Sequence, residues 1–448
     1  MDKDIQKLLS ESNQLVEKWL PVIEKDGKQN LTEEKTKVLA RLMENQQRNL
    51  QEGQVNFGGD SVALGHDGNT TAGISGIDKM MMGLVRRTTP KFIGFDICGV
   101  QPMTAPTQMM FGLKSTYGHM GGKEALYTEA DMEWSAKDKL PPVVDATTGN
   151  TTPATSTYTR SPTDVFSSLL TLSHGMSTRT AEEATMNEMA MRIERGSVTA
   201  RSRALKASWT VELEQDLKAV HGLDAQVELE NIVTNEIVAD INQEILHTVY
   251  KIGTLGCKTG TTTAGVFNCD TDADGRNRIE KIKGLLLQID YEANAIYQET
   301  RAGRGNFIIC SPNVASALSN AGVLDIAGKQ SALGELNIGD GSSTYLGVLN
   351  GKYKVFVDPY SINDANTQFV VVGYKGTGLG DAGLFYCPYI PLTKYGAQDP
   401  VTFQPRLGFK TRYAVAANGF SNSDGTFSTA IVNDKNSYYR KFLVTNIM

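Results

Sequence analysis

Between Asp224 and Lys251 the chain reads DAQVELENIVTNEIVADINQEILHTVYK, with no proline or glycine, and Leu229, Val233, Ile237, Ile241, Ile245 and Val249 recur at every fourth residue. At 1.5 Å per residue this predicts a single helix about 42 Å long. Four residues overshoot a 3.6-residue turn, so the apolar row advances about 40° per step and winds round the helix. Its two ends must then pack against different partners. Asp224 and Glu228 stand at the positive end of the helix dipole, His247 and Lys251 at the negative end, and Gly253 supplies a stop.

The run-in, Glu194 to Thr210, alternates apolar with basic residues and predicts one or two strands with a charged outer face. VELEQDLKAVHG follows as a short helix ending at Gly222. Further along, Ile279 to Thr300 predicts a helix and NFIICS a buried strand. Pro312 opens a helix through Leu318, and YKVFVD and TQFVVVGY predict strands. The end, FQPRLGFKTRYAVAANGF and then NSYYRKFLVT, is β-rich. Upstream, FIGFDICGVQPM reads as a strand closed by Pro102 and MMFGLKSTY as another. Gly253 to Gly265 reads as open chain. Helices and strands are interspersed without regular alternation, which makes the fold class α+β.

Residues 1–52 stand apart. Ile5, Leu8, Leu9, Leu15, Val16, Trp19 and Leu20 mark an amphipathic helix ended near Pro21, and Asn30 with Glu33 caps a second helix running to about Leu50. From Gly53 the composition switches to glycine, threonine and asparagine, a candidate processing boundary. Pro141 to Pro162 is rich in threonine and proline and reads as an exposed loop tip.

At 448 residues the chain should fold as two or three lobes. A net charge of -6 gives no general case for nucleic-acid binding, although Arg86, Arg87 and Lys91 form a local basic strip. The N-terminus lacks an apolar signal region, and no run of 18 apolar residues exists to insert in a membrane. Five cysteines without C-x-x-C spacing read as reduced thiols filling cores.

The motifs point away from catalysis. Gly378-Leu-Gly380-Asp-Ala-Gly383 matches G-x-G-x-x-G after a strand, but LFYCPYIPL follows where a helix must start to hold a pyrophosphate. Gly378 and Gly380 therefore read as a turn needing positive φ, worth about 1 kcal/mol each on substitution by alanine. Asp270, Asp272 and Asp274 open like an EF-hand loop, but Asn277 and Lys281 fill the eighth and twelfth positions. An exposed acidic turn is the reading, with a calcium contact as its alternative. The five histidines show no metal spacing, and no P-loop or nucleophile elbow occurs. No cofactor is expected.

FDICGVQPM, ARSRALKASWTVELEQDLKAVHGLDA, TNEIVADINQEIL, GNFIICSPNVASAL, VVGYKG and FQPRLGFKTRYAVAANGF occur in order from about Met80 to the C-terminus. In these segments the chain resembles the major capsid proteins of T-even-type contractile-tailed bacteriophages. The resemblance implies the fold of tailed-phage and herpesvirus capsid proteins. Residues 1–52 would be a helical propeptide of the delta type, and 53–102 the N-arm and start of the peripheral domain. Residues 103–194 would form the extended loop, and 195–278 the peripheral domain with 224–251 as its spine helix. The axial domain would be 279–392, and 393–448 would return to the peripheral domain. Through Gly118 to Ser177 this chain runs shorter than family members that carry a small insertion domain there.

The function so implied is structural: hexamers on an icosahedral lattice enclosing double-stranded DNA. The vertex paralogue that forms pentamers is the alternative, and a nucleotide-binding enzyme the alternative from another class. Implied partners are neighbouring capsomers, the vertex protein, an internal scaffold, a prohead protease, outer decoration proteins, a host or phage chaperonin and packaged DNA. Assembly would take place in the host cytoplasm, and the protein would end in the virion. Such a protease reads a small apolar residue, any residue, then glutamate, which places the cut after Leu50-Gln51-Glu52 and before Gly53. Glu24 and Glu44 also follow an apolar residue at the right spacing but lie inside the expected helical hairpin. Arg86, Arg87 and Lys91 are the candidates for facing the DNA.

Overall fold

The computed structural model describes residues 13–21, 23, 33–55, 92–119, 121–122, 125, 134, 178–183, 186–258, 260–273, 277–322, 324–326, 345–361, 368–378, 381–399, 401–421 and 427–447. The chain divides into two units, one of Met1–Met110 with Gly196–Met448 and one of Phe111–Arg195.

The first described elements of the first unit are helices α1 (13–21) and α2 (Glu33–Val55). Trp19 and Ile23 pack on Leu39, Ala40 and Met43 to give the pair a small core of its own. A short helix α3 (Gly94–Ile97) then leads into β1 (Gly99–Val100). The run FIGFDICGVQPM was expected to be a strand, and most of it is not. A helical turn buries Ile93, Phe95 and Ile97 together, and Asn242 accepts a hydrogen bond from the Ile93 amide at 3.0 Å.

The second unit contains most of β2 (Thr107–Tyr117) and of β3 (Met189–Thr199), which form a two-stranded ribbon, and the helix α4 (Thr178–Glu183). At the ribbon's end the Gly118 amide donates to the Glu188 carbonyl at 2.9 Å. Trp134 stacks beside Tyr117 with ring centroids 5.4 Å apart, and its Nε1 donates to the Glu188 carbonyl.

Back in the first unit, β4 (Arg201–Ser208) is followed by α5 (Val211–His221). The Thr210 side chain accepts from the Leu213 amide at the N-terminus of α5. Gly222 ends the helix at φ 68°, a left-handed conformation that glycine adopts without strain. The long helix α6 (Ala225–Ile252) comes next, its first turn capped by the Asp224 side chain on the Gln226 amide. Of its every-fourth-residue row, Val233 to Val249 are all buried and Leu229 is partly so. The winding stripe meets two different sheets, as its geometry requires.

The smaller sheet has the order β1-β12-β13-β4, with β12 (Leu384–Gln398) and β13 (Pro405–Ala417) at its centre. It receives α6 from Glu230 to Glu244. Lys394 of β12 pairs with Glu230, while Arg203 of β4 reaches Asp240 at 3.1 Å and Glu244 at 2.7 Å. The larger sheet takes the C-terminal end of α6, where Tyr250 stacks edge-on against Phe369 at 4.9 Å and donates to Asp358 at 2.9 Å.

That larger sheet runs β5 (Gly253–Leu255), β14 (Asn436–Thr445), β11 (Gln368–Gly373), β7 (Phe307–Cys310), β10 (Tyr353–Val357), β9 (Tyr345–Leu349) and β8 (Leu324–Ile326). Strand β6 (Val266–Asn268) also pairs with β14. Helices α7 (Arg278–Thr300) and α8 (Pro312–Asn320) cover one face and α6 the other. Phe307, Ile309, Phe356 and Val371 point into the core shared with α6. Ile308, Cys310, Val355, Val370 and Val372 point into the core shared with α7 and α8. Burial on both faces explains why NFIICS and QFVVVGY are unbroken apolar runs.

One further placement differs from the sequence reading. The segment 253–265, read as open, supplies the edge strand β5. The last strand, β14, pairs parallel with β5 and β6, which follow the long helix, and antiparallel with β11 from Gln368↔Val444 to Gly373↔Tyr439. Pairing over so long a separation leaves no local signature. Helices and strands are mixed without βαβ regularity, and the class is α+β.

Candidate functional site

The expected cleavage residues Leu50, Glu52 and Gly53 lie inside α2, whose backbone stays helical to Val55. The helix was expected to run to about Leu50, with a switch of composition at Gly53. Gln51, Glu52 and Gln54 are good helix formers, and one glycine costs about 1 kcal/mol, too little to end a helix by itself. A protease acting at Glu52 must therefore unwind the last turn. The competing Glu44 is held far more firmly. Its neighbour Leu42 is buried, and its carboxylate accepts from Lys18 at 2.8 Å and from Trp19 Nε1 at 3.0 Å. Burial raises the Glu44 carboxyl, but these hydrogen bonds outweigh it and hold the group below its usual value. Glu24 and the basic strip Arg86, Arg87 and Lys91 lie outside the described residues.

The acidic turn is satisfied from within. Asp272 accepts from the Thr262 amide and hydroxyl and from the Asn268 amide, and Asp270 pairs with Lys281 at 2.6 Å. The slight burial of Asp272 raises its carboxyl, but the hydrogen bonds prevail and lower it. Asp274 lies outside the described residues, and among those no group of three acidic, histidine or cysteine side chains is placed to hold a metal ion. The five cysteines are free and buried. Burial pushes the thiols of Cys98, Cys310 and Cys387 up to about 12, so they serve as apolar filling.

At Gly378 to Gly383 a tight turn is closed by Asp381, whose amide donates to the Gly378 carbonyl and whose carbonyl accepts from the Gly376 amide. Strand β12 follows at Leu384, so no helix N-terminus is available for a pyrophosphate. Gly378 does not have the positive φ expected of it, and a Cβ there would meet only Asp381 Cβ at an ordinary 3.5 Å. Gly380 lies outside the described residues. Gly383 is the constrained member, since its Cβ would sit 2.6 Å from Tyr438 Cβ and from Tyr439 Cε2. Gly383→Ala should cost about 1 to 3 kcal/mol by overpacking and Gly378→Ala less than about 0.5. Thermal melts of the two variants check this, and equal losses would contradict it.

The feature missed in the sequence is the apolar face of the ribbon. The Gly118 amide bonds to Glu188 at one end and the Ala200 amide to Pro106 at the other. Both pairs keep the same register, which sets Leu113 opposite Ile193 and Phe111 opposite Arg195. Phe111, Leu113, Met189, Met191 and Ile193 thus share one face, and all are exposed, Phe111 and Ile193 by 70%. The signal was the large apolar residues at every second position, Met109, Phe111 and Leu113 in one strand and Met189, Met191 and Ile193 in the other.

The family model of the major capsid protein Gp23 matches residues 74–444. The chain belongs to the Gp23 major capsid protein family. The major capsid protein of Vibrio phage KVP40 is 35% identical to it, over 97% of this chain and 100% of that protein. The major capsid protein of Enterobacteria phage T4 is 32% identical, over 97% and 99%. The capsid vertex protein of the same phage is 27% identical over 51% of this chain and 53% of its own length. Among solved structures, the capsid of Myoviridae Phage XM1 aligns with 77% of this chain and 90% of that one at 8% identity and a TM-score of 0.39. As a Gp23-family major capsid protein the chain is a structural protein of the virion and not an enzyme. Among the described residues no helix is long and apolar enough to cross a membrane.

Proposed function

We propose that this capsid protein forms the hexameric capsomers of an icosahedral head enclosing double-stranded DNA. The observation that carries the reading is the ribbon face of Phe111, Leu113, Met189, Met191 and Ile193, exposed on a two-stranded element. Such a ribbon is marginal alone, and a contiguous apolar face in water marks a surface that a partner covers. In a closed homo-oligomer that partner is a neighbouring copy, and a head-to-tail contact closes into a ring. On this reading residues 103–194 are the extended loop, α6 is the spine of the peripheral domain at 195–278, and 279–392 is the axial domain. Vertex protein, internal scaffold, outer decoration proteins and a chaperonin are the further partners, and Arg86, Arg87 and Lys91 neutralise phosphate. Ile193→Asp should leave the melting temperature unchanged and stop hexamers and shells from forming, since one such side chain buried at an interface is worth about 1.5 to 3 kcal/mol per copy. Size-exclusion chromatography with electron microscopy reads this, and normal shells from the variant would refute the hexamer contact.

The same reading includes maturation by a cut between Glu52 and Gly53, made by a prohead protease that pairs with the Glu52 carboxylate. The site lies within one turn of the end of α2, where fraying exposes the backbone, whereas Glu44 is pinned. Glu52→Gln should leave heads uncut and unexpanded. N-terminal sequencing of mature heads checks the position, and any start other than Gly53 would overturn it.

A further inference from the structure

Among the described residues, the contacts that seat α2 on the rest of its unit lie well before the proposed cut. Val38 and Leu42 are buried against Phe95, with Phe92 and Val100 beside them. Asn45 Nδ2 donates both to the Met103 carbonyl at 2.8 Å and to the Tyr389 carbonyl at 3.0 Å, and its side chain is buried there. Lys35 pairs with Asp96 at 3.3 Å, its ammonium 5.9 Å from the centre of the Phe95 ring. The opposite side of α2 is held by α1 through Trp19, Ile23, Leu39 and Met43 and through the Lys18 to Glu44 pair. The helical pair therefore has an internal core of its own.

We propose that the surface formed by Phe92, Phe95, Val100 and the carbonyls of Met103 and Tyr389 is a binding site for the helix 33–48 as a separate peptide. Cutting the chain near Glu52 then leaves the propeptide docked. This rests on the reading that the chain is cut there. The cut removes the tether, so it turns an intramolecular contact into a bimolecular one and lowers the effective concentration of the helix. It breaks none of the apolar, amide or ionic contacts. Departure of the propeptide is then a second step, and it uncovers an apolar surface with two carbonyls that Asn45 had satisfied.

The test uses the full chain with a recognition sequence for a site-specific protease inserted between Glu52 and Gly53. After complete cutting, native gel filtration with mass spectrometry should find the 1–52 fragment co-eluting in equimolar amount with the remainder. Leu42→Asp should weaken that retention by roughly a hundredfold, as expected when a buried leucine contact is replaced by a charge. Asn45→Ala, a milder change that leaves the α1 to α2 core intact, should weaken it in the same direction. Hydrogen exchange at residues 92–103 should rise in both variants after cutting. A wild-type fragment that separates on its own overturns the proposal, and so does retention unaltered by Leu42→Asp. Because the cut is engineered, a natural cleavage point elsewhere would overturn the processing site and leave this result standing.

Discussion

Ile241→Asp should unfold the subunit and abolish assembly. Ile241 is 1% exposed at the middle of α6, between Ile237 and Ile245 in the row that joins the two sheets. Trimming such a residue to alanine costs about 2 to 5 kcal/mol, and burying an unpaired carboxylate in its place adds a further penalty. Against a total stability of roughly 5 to 15 kcal/mol, little of the folded population survives. Ile232, on the same helix but 60% exposed, provides the control: Ile232→Asp should melt with the wild type. Circular dichroism melts and gel filtration of both variants read the result. If Ile241→Asp stayed soluble with an unchanged melting temperature, the role of α6 as the joint between the sheets would be wrong.

The sequence revealed what is encoded locally. The limits of α6 were legible because Asp224, Gly253 and the every-fourth-residue row lie within the helix or next to it, and Gly222 marked the end of α5 in the same way. The stretch from Phe92 to Val100 was misread because its apolar residues fit a strand equally well. The choice of a helical turn rests on Asn242 and on the packing of Phe95 under α2, neither of which is near in sequence. The position of β14 beside β11 was invisible for the same reason. For the candidate sites, the weakness of the glycine and aspartate motifs could be argued from spacing alone. That Gly383 and not Gly378 is the constrained glycine depends on Tyr438 and Tyr439, which arrive from the far end of the chain. The ribbon's alternation was visible, but whether an alternating face is buried or bare is decided by what else folds over it.

A second large effect is expected at Arg440. This residue lies on β14 with its side chain 6% exposed, facing Glu292 at 3.4 Å and also paired with Glu299, both on α7. Glu292 is itself buried and accepts from Gln288 Nε2 at 2.9 Å and from the Cys257 amide at 2.8 Å. The group thus ties strand β14 of the larger sheet to α7 and to the chain leaving β5. Buried ion pairs contribute little net stability over apolar replacements, because desolvation offsets the attraction, but removing one partner strands the other charge. Arg440→Ala should therefore cost about 3 to 5 kcal/mol, leaving the Glu292 carboxylate in the interior with only neutral donors. The double variant Arg440→Met with Glu292→Gln removes both charges, keeps most of the volume and leaves an amide that can still be hydrogen-bonded. It should recover at least half of that loss. Denaturant unfolding of the wild type, the single variant and the double variant decides between this account and simple loss of packing. If the double variant is as unstable as Arg440→Ala, the packing of the arginine stem rather than the stranded carboxylate sets the cost.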